Sequence, residues 1–134
     1  MGSLSRKDLC EYRLSEAEQC LKTAKNLIEL GDYKAAANRS YYCIYHSIRS
    51  IIALEGVEFK RHTGNISHFR EKYIKTNILD VELSDIIENA FTVRNSSDYD
   101  DFYIVSKSDT VEQVENAETF LNAVKNYIEK YSNN

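Results

Sequence analysis

Arg94 is the side chain in this 134-residue sequence whose position points most directly to chemistry. The run Val81–Val93 places Leu83, Ile86, Ile87, Ala90 and Phe91 on one helical face, and the same spacing carried one step further lands on Arg94. A guanidinium on a core-facing stripe at a helix end is unusual, because an unpaired buried charge is costly. Two anions fit it: a ligand phosphate, which the planar fork can grip, or Asp98, four residues on. In the second case Asp98 pairs with Arg94 or with backbone amides to stabilise a turn, and Tyr99 packs its ring inward. Asn95-Ser96-Ser97-Asp98 is rich in cap and turn formers, so the chain is expected to bend or break just past Arg94.

A second concentration of reactive side chains lies on the row Arg39, Tyr42, His46 and Arg49, spaced three or four residues apart. The row combines rings with cations, which suits a binding site or a subunit contact, and equally a solvated flank of a core helix. His46 is its only group that exchanges protons near neutral pH. His62 and His68 sit in a basic stretch further on, and any of the three histidines could in principle form a composite site with Arg94. No His, Asp or Glu cluster has metal-ligand spacing, and Asp98, Asp100 and Asp101 read as a solvated charge run, so neither a metal nor a cofactor is expected. Cys10, Cys20 and Cys43 form no C-x-x-C pair and read as reduced, partly buried thiols.

These residues must be positioned by helices. Asp32 is a good N-cap and Gly56 a good stop, and the stretch between them lacks Pro and Gly while Ala37, Tyr41, Ile44, Ile48 and Ile51 line one wide face. This central helix carries the Arg39–Arg49 row on its flank. Before it, Leu14, Ala17, Leu21, Ala24 and Ile28 mark a first helix from about Ser5 to Leu30, and the short Gly31-Asp32 turn forces the two to pair antiparallel. A shorter helix is expected from about Ile66 to Lys75, anchored by Phe69 and Tyr73, then one from about Val81 to Val93. The last begins near Thr110, capped by Thr110 or Asp109, with Val114, Ala117, Leu121, Val124, Ile128 and Tyr131 on its stripe. No strand alternation or internal repeat appears, so the expected fold is all-α: an up-and-down antiparallel bundle of four long helices plus one short helix, one domain over residues 1–134.

Bulk composition narrows the partners. The net charge of -4 and 43% hydrophobic content are ordinary for a soluble protein, and no tract is long enough to span a bilayer. With no signal-peptide plan at the N-terminus, the cytoplasm is the expected compartment and no membrane partner is expected. A general nucleic-acid footprint is absent, yet the charge is uneven. Residues 56–76 hold five Lys or Arg against two Glu, whereas residues 77–134 hold four against twelve Asp or Glu. The basic segment is either a local anion site or one side of an internal charge match.

Taken together, Arg39 through Leu54 with Ser40-Tyr41-Tyr42 at its centre, His62-Thr63-Gly64, Arg94-x-x-x-Asp98-Tyr99, Val105-Ser106 and a final helix with Ala117 and Phe120 resemble the HEPN domain family. The likeness covers nearly the whole chain and is closest to the small stand-alone prokaryotic branch with an Arg-x-x-x-Asp-Tyr signature. The resemblance implies a helical homodimer, often paired with a minimal nucleotidyltransferase in a toxin–antitoxin-like system, that binds RNA or a nucleotide. In the family's ribonucleases an Arg followed after four to six residues by a His forms a site across the dimer. The pairing makes chemical sense, since attack by a ribose 2′-hydroxyl needs proton exchange near pH 7 and a cation beside the phosphate. Here Arg94 matches the arginine, but the following positions hold Tyr99, Asp100 and Asp101 and no histidine. A tyrosine near pKa 10 and an aspartate near 4 are poor substitutes. The resemblance therefore points to a dimer without efficient catalysis, with Arg94, Asn95, Asp98, Tyr99, Arg39, Tyr42, His46 and Arg49 at its binding or interface surface. The alternatives are a metal-independent ribonuclease toxin using Arg94 with a displaced base such as His46 or Tyr99, or a plain helical adaptor.

Overall fold

The computed structural model describes residues 5–132. Five helices follow in order: α1 Arg6–Glu29, α2 Tyr33–Glu55, α3 His62–Phe69, α4 Glu82–Tyr99 and α5 Lys107–Ser132. Among the described residues there is no strand, and the expected bundle of four long helices and one short one is what the chain forms.

Local signals set most of the boundaries. Ser5 and Asp8 close a reciprocal capping box at the start of α1, and the Asp32 carboxylate accepts the Ala35 amide (3.2 Å) at the start of α2. Gly31 (φ 77°) and Gly56 (φ 75°) take the left-handed conformation that ends α1 and α2. The two-residue turn then folds α2 back along α1. α2 is the hub: it packs against α1, α3, α4 and α5, and Tyr41, Ile44, Ile48, Ile51 and Ile52 are fully buried with Phe69 and Phe120. A helix contacted on so many sides needs the wide apolar face that its sequence carries.

The structure departs from the sequence expectation in three places. The short helix begins at His62 rather than Ile66, and widens into a π-helical turn over Arg70–Ile74. The last helix is capped by Ser106, whose hydroxyl accepts the Asp109 amide (3.0 Å), and not by Thr110 or Asp109. Most consequentially, α4 does not break at Asn95–Asp98 but runs on to Tyr99. Tertiary contacts outweigh local turn propensity there: Val93 joins Ala37 and Val105 in a small second core, Ser97 is buried, and Asp98 turns back to Arg94 instead of capping a turn.

The basic segment is matched internally. Glu55 at the end of α2 accepts His68 Nε2 (2.9 Å), Lys72 Nζ (2.8 Å) and the Tyr73 hydroxyl (2.7 Å). Arg70 pairs with Glu88 (3.1 Å) and Lys75 with Glu71 (2.7 Å). Lys60 and Arg61 remain exposed.

Candidate functional site

Because α4 continues as a helix through Arg94, the guanidinium is carried across the groove onto α2. Its Cζ lies 4.8 Å from the Tyr41 ring centre and 5.5 Å from that of Tyr42, and its Nη2 donates to the Tyr42 hydroxyl at 3.4 Å. Such placement over ring faces is favourable for a weakly hydrated cation. Asp98 Oδ2 is 3.4 Å from Nε but off the N–H direction, so Nε is buried without a directed hydrogen bond. Arg94 is four-fifths covered, yet it holds only one loosely aimed carboxylate.

His62 packs against the same tyrosines. Its Nδ1 is 3.3 Å from the Tyr41 hydroxyl, its ring stacks on Tyr45 with centres 3.8 Å apart, and Tyr42 meets it edge-on at 5.9 Å. Burial holds the imidazole below its ordinary pKa, and the Arg94 and Arg49 charges push in the same direction. It is therefore neutral at pH 7. Burial pushes the Tyr41 phenol up to about 12, so that hydroxyl keeps its proton and can donate to Nδ1 or accept from it.

Two buried polar groups fix His62 in place. The Asn65 amide, fully enclosed, donates to the Tyr45 hydroxyl (2.9 Å) and to the carbonyls of Phe59 (3.2 Å) and Arg61 (3.2 Å). Arg13 reaches from α1 to the Arg49 carbonyl (3.0 Å) and to Glu58 Oε1 (2.6 Å), the same oxygen that takes Arg49 Nη2 (2.8 Å). Together these ties hold the Val57–Arg61 connection against α2. A cleft of ≈ 540 Å³ opens beside it, lined by Tyr45, Arg49, Glu58, Phe59, Lys60 and His62.

The residues singled out from sequence fall into three groups. Arg94, Tyr42 and Asp98 come together, and Arg39 joins them from the next turn of α2, its Cζ 5.0 Å from the Tyr42 ring and its fork on the Asn38 side-chain oxygen (2.7 Å). His46 and Arg49 are nearby but differently engaged. His46 stands beside Tyr42 and Tyr45 (6.1 and 6.2 Å), and its Nδ1 is buried without a partner. Burial, then Arg49, with Arg39 and Arg13 adding to it, lowers its pKa. Asn95 and Tyr99 face away. Tyr99 is three-quarters exposed, which corrects the expectation that its ring packs inward.

Tyr45, Asn65, Arg13 and Glu58 were not singled out as site residues, Tyr41 was placed only on the buried face and in the Ser40-Tyr41-Tyr42 motif, and His62 was only one of three histidines considered. The available signal for Arg13 was its place on the α1 stripe, between Cys10 and Ala17. Among the described residues no group of three His, Cys, Asp or Glu side chains could hold a metal ion, and no helix is long and apolar enough to cross a membrane. All three cysteines are buried, Cys10 and Cys43 completely, and burial raises the thiols of Cys10 to about 11 and Cys43 to about 12.

Comparison with known proteins adds an independent line. The HEPN domain model matches residues 10–127. A Methanocaldococcus jannaschii protein named "putative toxin" is 30% identical over 118 residues, covering 88% of this chain and 80% of its own length. A UPF0332 protein of Thermotoga maritima is 27% identical, covering 92% of this chain and 94% of its own length. In structure, the chain resembles ST0689, an archaeal HEPN homologue, with a TM-score of 0.62 at 22% identity over 89% of this chain and 97% of that one.

Proposed function

As the chain belongs to the HEPN domain family, we propose that it acts as a helical homodimer that binds RNA or a nucleotide through a phosphate at Arg94, with weak catalysis or none. In this reading it is one half of a toxin–antitoxin-like pair whose other half is a minimal nucleotidyltransferase. The observation that carries the proposal is the state of Arg94: buried enough to be preorganised, resting on two tyrosine rings, and lacking a well-directed anion. A phosphate oxygen would supply one.

The chain just past Asp98 supports a protein contact beside that site. Tyr99, Phe102 and Ile104 are 75%, 92% and 87% exposed. Large apolar side chains clustered in one short segment are what a subunit or partner surface presents. The relatives named as toxins support the choice of system. Light scattering at micromolar concentration, with titrations of single-stranded RNA, nucleoside triphosphate and a minimal nucleotidyltransferase, tests the proposal. A dimer that binds at least one of these is expected. A monomer that binds none refutes it.

A ribonuclease toxin using Arg94 with a displaced base is the second reading, and one observation favours it. A neutral imidazole, His62, lies against the same two tyrosines as Arg94.

A further inference from the structure

We infer that the groove between α4 and α5 is a docking site for an arginine side chain of a partner protein. The inference rests on the reading of Tyr99–Ile104 as a protein contact and deepens it by naming the anchoring group. Arg94 takes no part, since its guanidinium is carried the other way, onto the tyrosines of α2.

The groove has a volume of ≈ 270 Å³, and its walls include Asn89 of α4, Tyr103 of the connecting segment, and Asp109, Glu112 and Gln113 of α5, with no cation among them. Three observations point to what it takes. First, Gln113 is only 4% exposed, yet its side-chain amide has no hydrogen-bond partner among the described residues. It is not among the fully enclosed unpaired groups either, so the amide opens where the residue borders the groove. An amide this covered is ordinarily bonded within its own chain; here it is left for an incoming group. Second, Asp109 and Glu112 are exposed, and neither is ion-paired among the described residues. The helix dipole accounts for Asp109 in the first turn of α5, but Glu112 lies beyond that turn and beyond the dipole's reach. Third, the groove-lining Tyr103 is flanked in sequence by Phe102 and Ile104, which are 92% and 87% exposed. Apolar side chains presented beside a charged pocket suit a protein surface better than a free small cation.

The donor set selects the cation. A guanidinium carries five N–H donors in one plane, so it can bridge two carboxylates, reach the amide oxygens of Asn89 and Gln113, and lay its face on the Tyr103 ring. A lysine ammonium is a compact, strongly hydrated point charge and cannot span them. A divalent metal ion is a poor match, because among the described residues no group of three His, Cys, Asp or Glu side chains could hold one.

The test is an NMR titration of the full chain, following the Gln113 side-chain amide, with three probes: a peptide carrying one arginine between leucines, its lysine counterpart, and Nα-acetylarginine amide. The arginine peptide is expected to shift the amide and to bind ~10-fold more tightly than either other probe, and Glu112→Gln should weaken it ~10-fold. Gln113→Leu should weaken it too while leaving the urea midpoint unchanged or higher, because the free amide contributes no hydrogen bond to the fold. A lowered midpoint in Gln113→Leu would make the amide structural and overturn the site. An unmoved Gln113 amide in wild type overturns it as well, and that readout needs no variant to fold. Equal binding of the lysine peptide overturns the choice of guanidinium, and equal binding of Nα-acetylarginine amide overturns the choice of a protein. A homodimer that dissociates on Glu112→Gln would put a second copy of this chain in the groove and overturn the assignment to a different partner. Glu112→Gln should bind single-stranded RNA as wild type does, so failure of this site leaves the phosphate reading at Arg94 standing.

Discussion

Truncating Asn65 to alanine tests how the site is assembled. The side-chain amide is enclosed and its two N–H groups serve three acceptors: the Tyr45 hydroxyl and the carbonyls of Phe59 and Arg61. Asn65→Ala removes those donors from groups that stay in place and away from water. Each net hydrogen bond contributes about 1 kcal/mol, and an acceptor left unsatisfied costs about the same or more, so the loss comes to about 3 kcal/mol. For a chain of this size that is a fall in Tm of roughly 10 °C. A local consequence should accompany the global one. The Phe59–Arg61 backbone, released from α2, lets the His62 ring move from Tyr45 into water, and its pKa rises toward the ordinary histidine value. Urea denaturation followed by circular dichroism gives the first quantity, and an NMR titration of the histidine ring protons gives the second. A loss below about 1 kcal/mol, too small for an unmet buried hydrogen bond, together with an unshifted His62 titration would refute the assignment of Asn65 as the residue that docks this connection.

Other perturbations give further checks. Arg13→Met removes a buried cation but leaves Glu58 exposed and still paired with Arg49, so the cost is the unmet Arg49 carbonyl and a lost charge-assisted bond, about 2 kcal/mol by the same denaturation assay. The pH dependence follows from His46 and His62, both lowered chiefly by burial: the unfolded chain binds protons that the folded chain resists, so stability present at pH 7.5 is lost as pH falls through and below the ordinary histidine value. The urea midpoint should therefore drop between pH 7.5 and 5.5, and a flat midpoint, or one unaltered by His62→Gln with His46→Gln, contradicts those environments. A double-mutant cycle on Arg94 and Asp98 should return a coupling of about 0.5 kcal/mol, since the pair is partly solvated and poorly directed. A coupling several times larger would make the pair structural first.

The bundle was legible in the sequence because its determinants are local. Asp32 and the two glycines mark α1 and α2, and the three-to-four spacing of Ile44, Ile48 and Ile51 identifies the buried face. The extension of α4 was not legible, since Asn95, Ser96, Ser97 and Asp98 favour a turn on their own and are overruled by Val93, Ser97 and Arg94 contacts from elsewhere in the chain. Arg94 could be found as a cation on an apolar stripe. His62 could not be ranked above His46, because its defining neighbours, Tyr41 and Tyr45, lie about twenty residues earlier and meet it only after α3 docks on α2. The same holds for Arg13 and Glu58, forty-five positions apart.

The decisive measurement is the affinity of single-stranded RNA for wild type and for Arg94→Gln, by fluorescence anisotropy at fixed ionic strength, with both proteins shown to be folded. A guanidinium that meets a phosphate contributes about 1.5–3 kcal/mol, so the variant should bind ~10–100-fold more weakly. Equal affinities would mean that Arg94 holds its own fold together and touches no ligand.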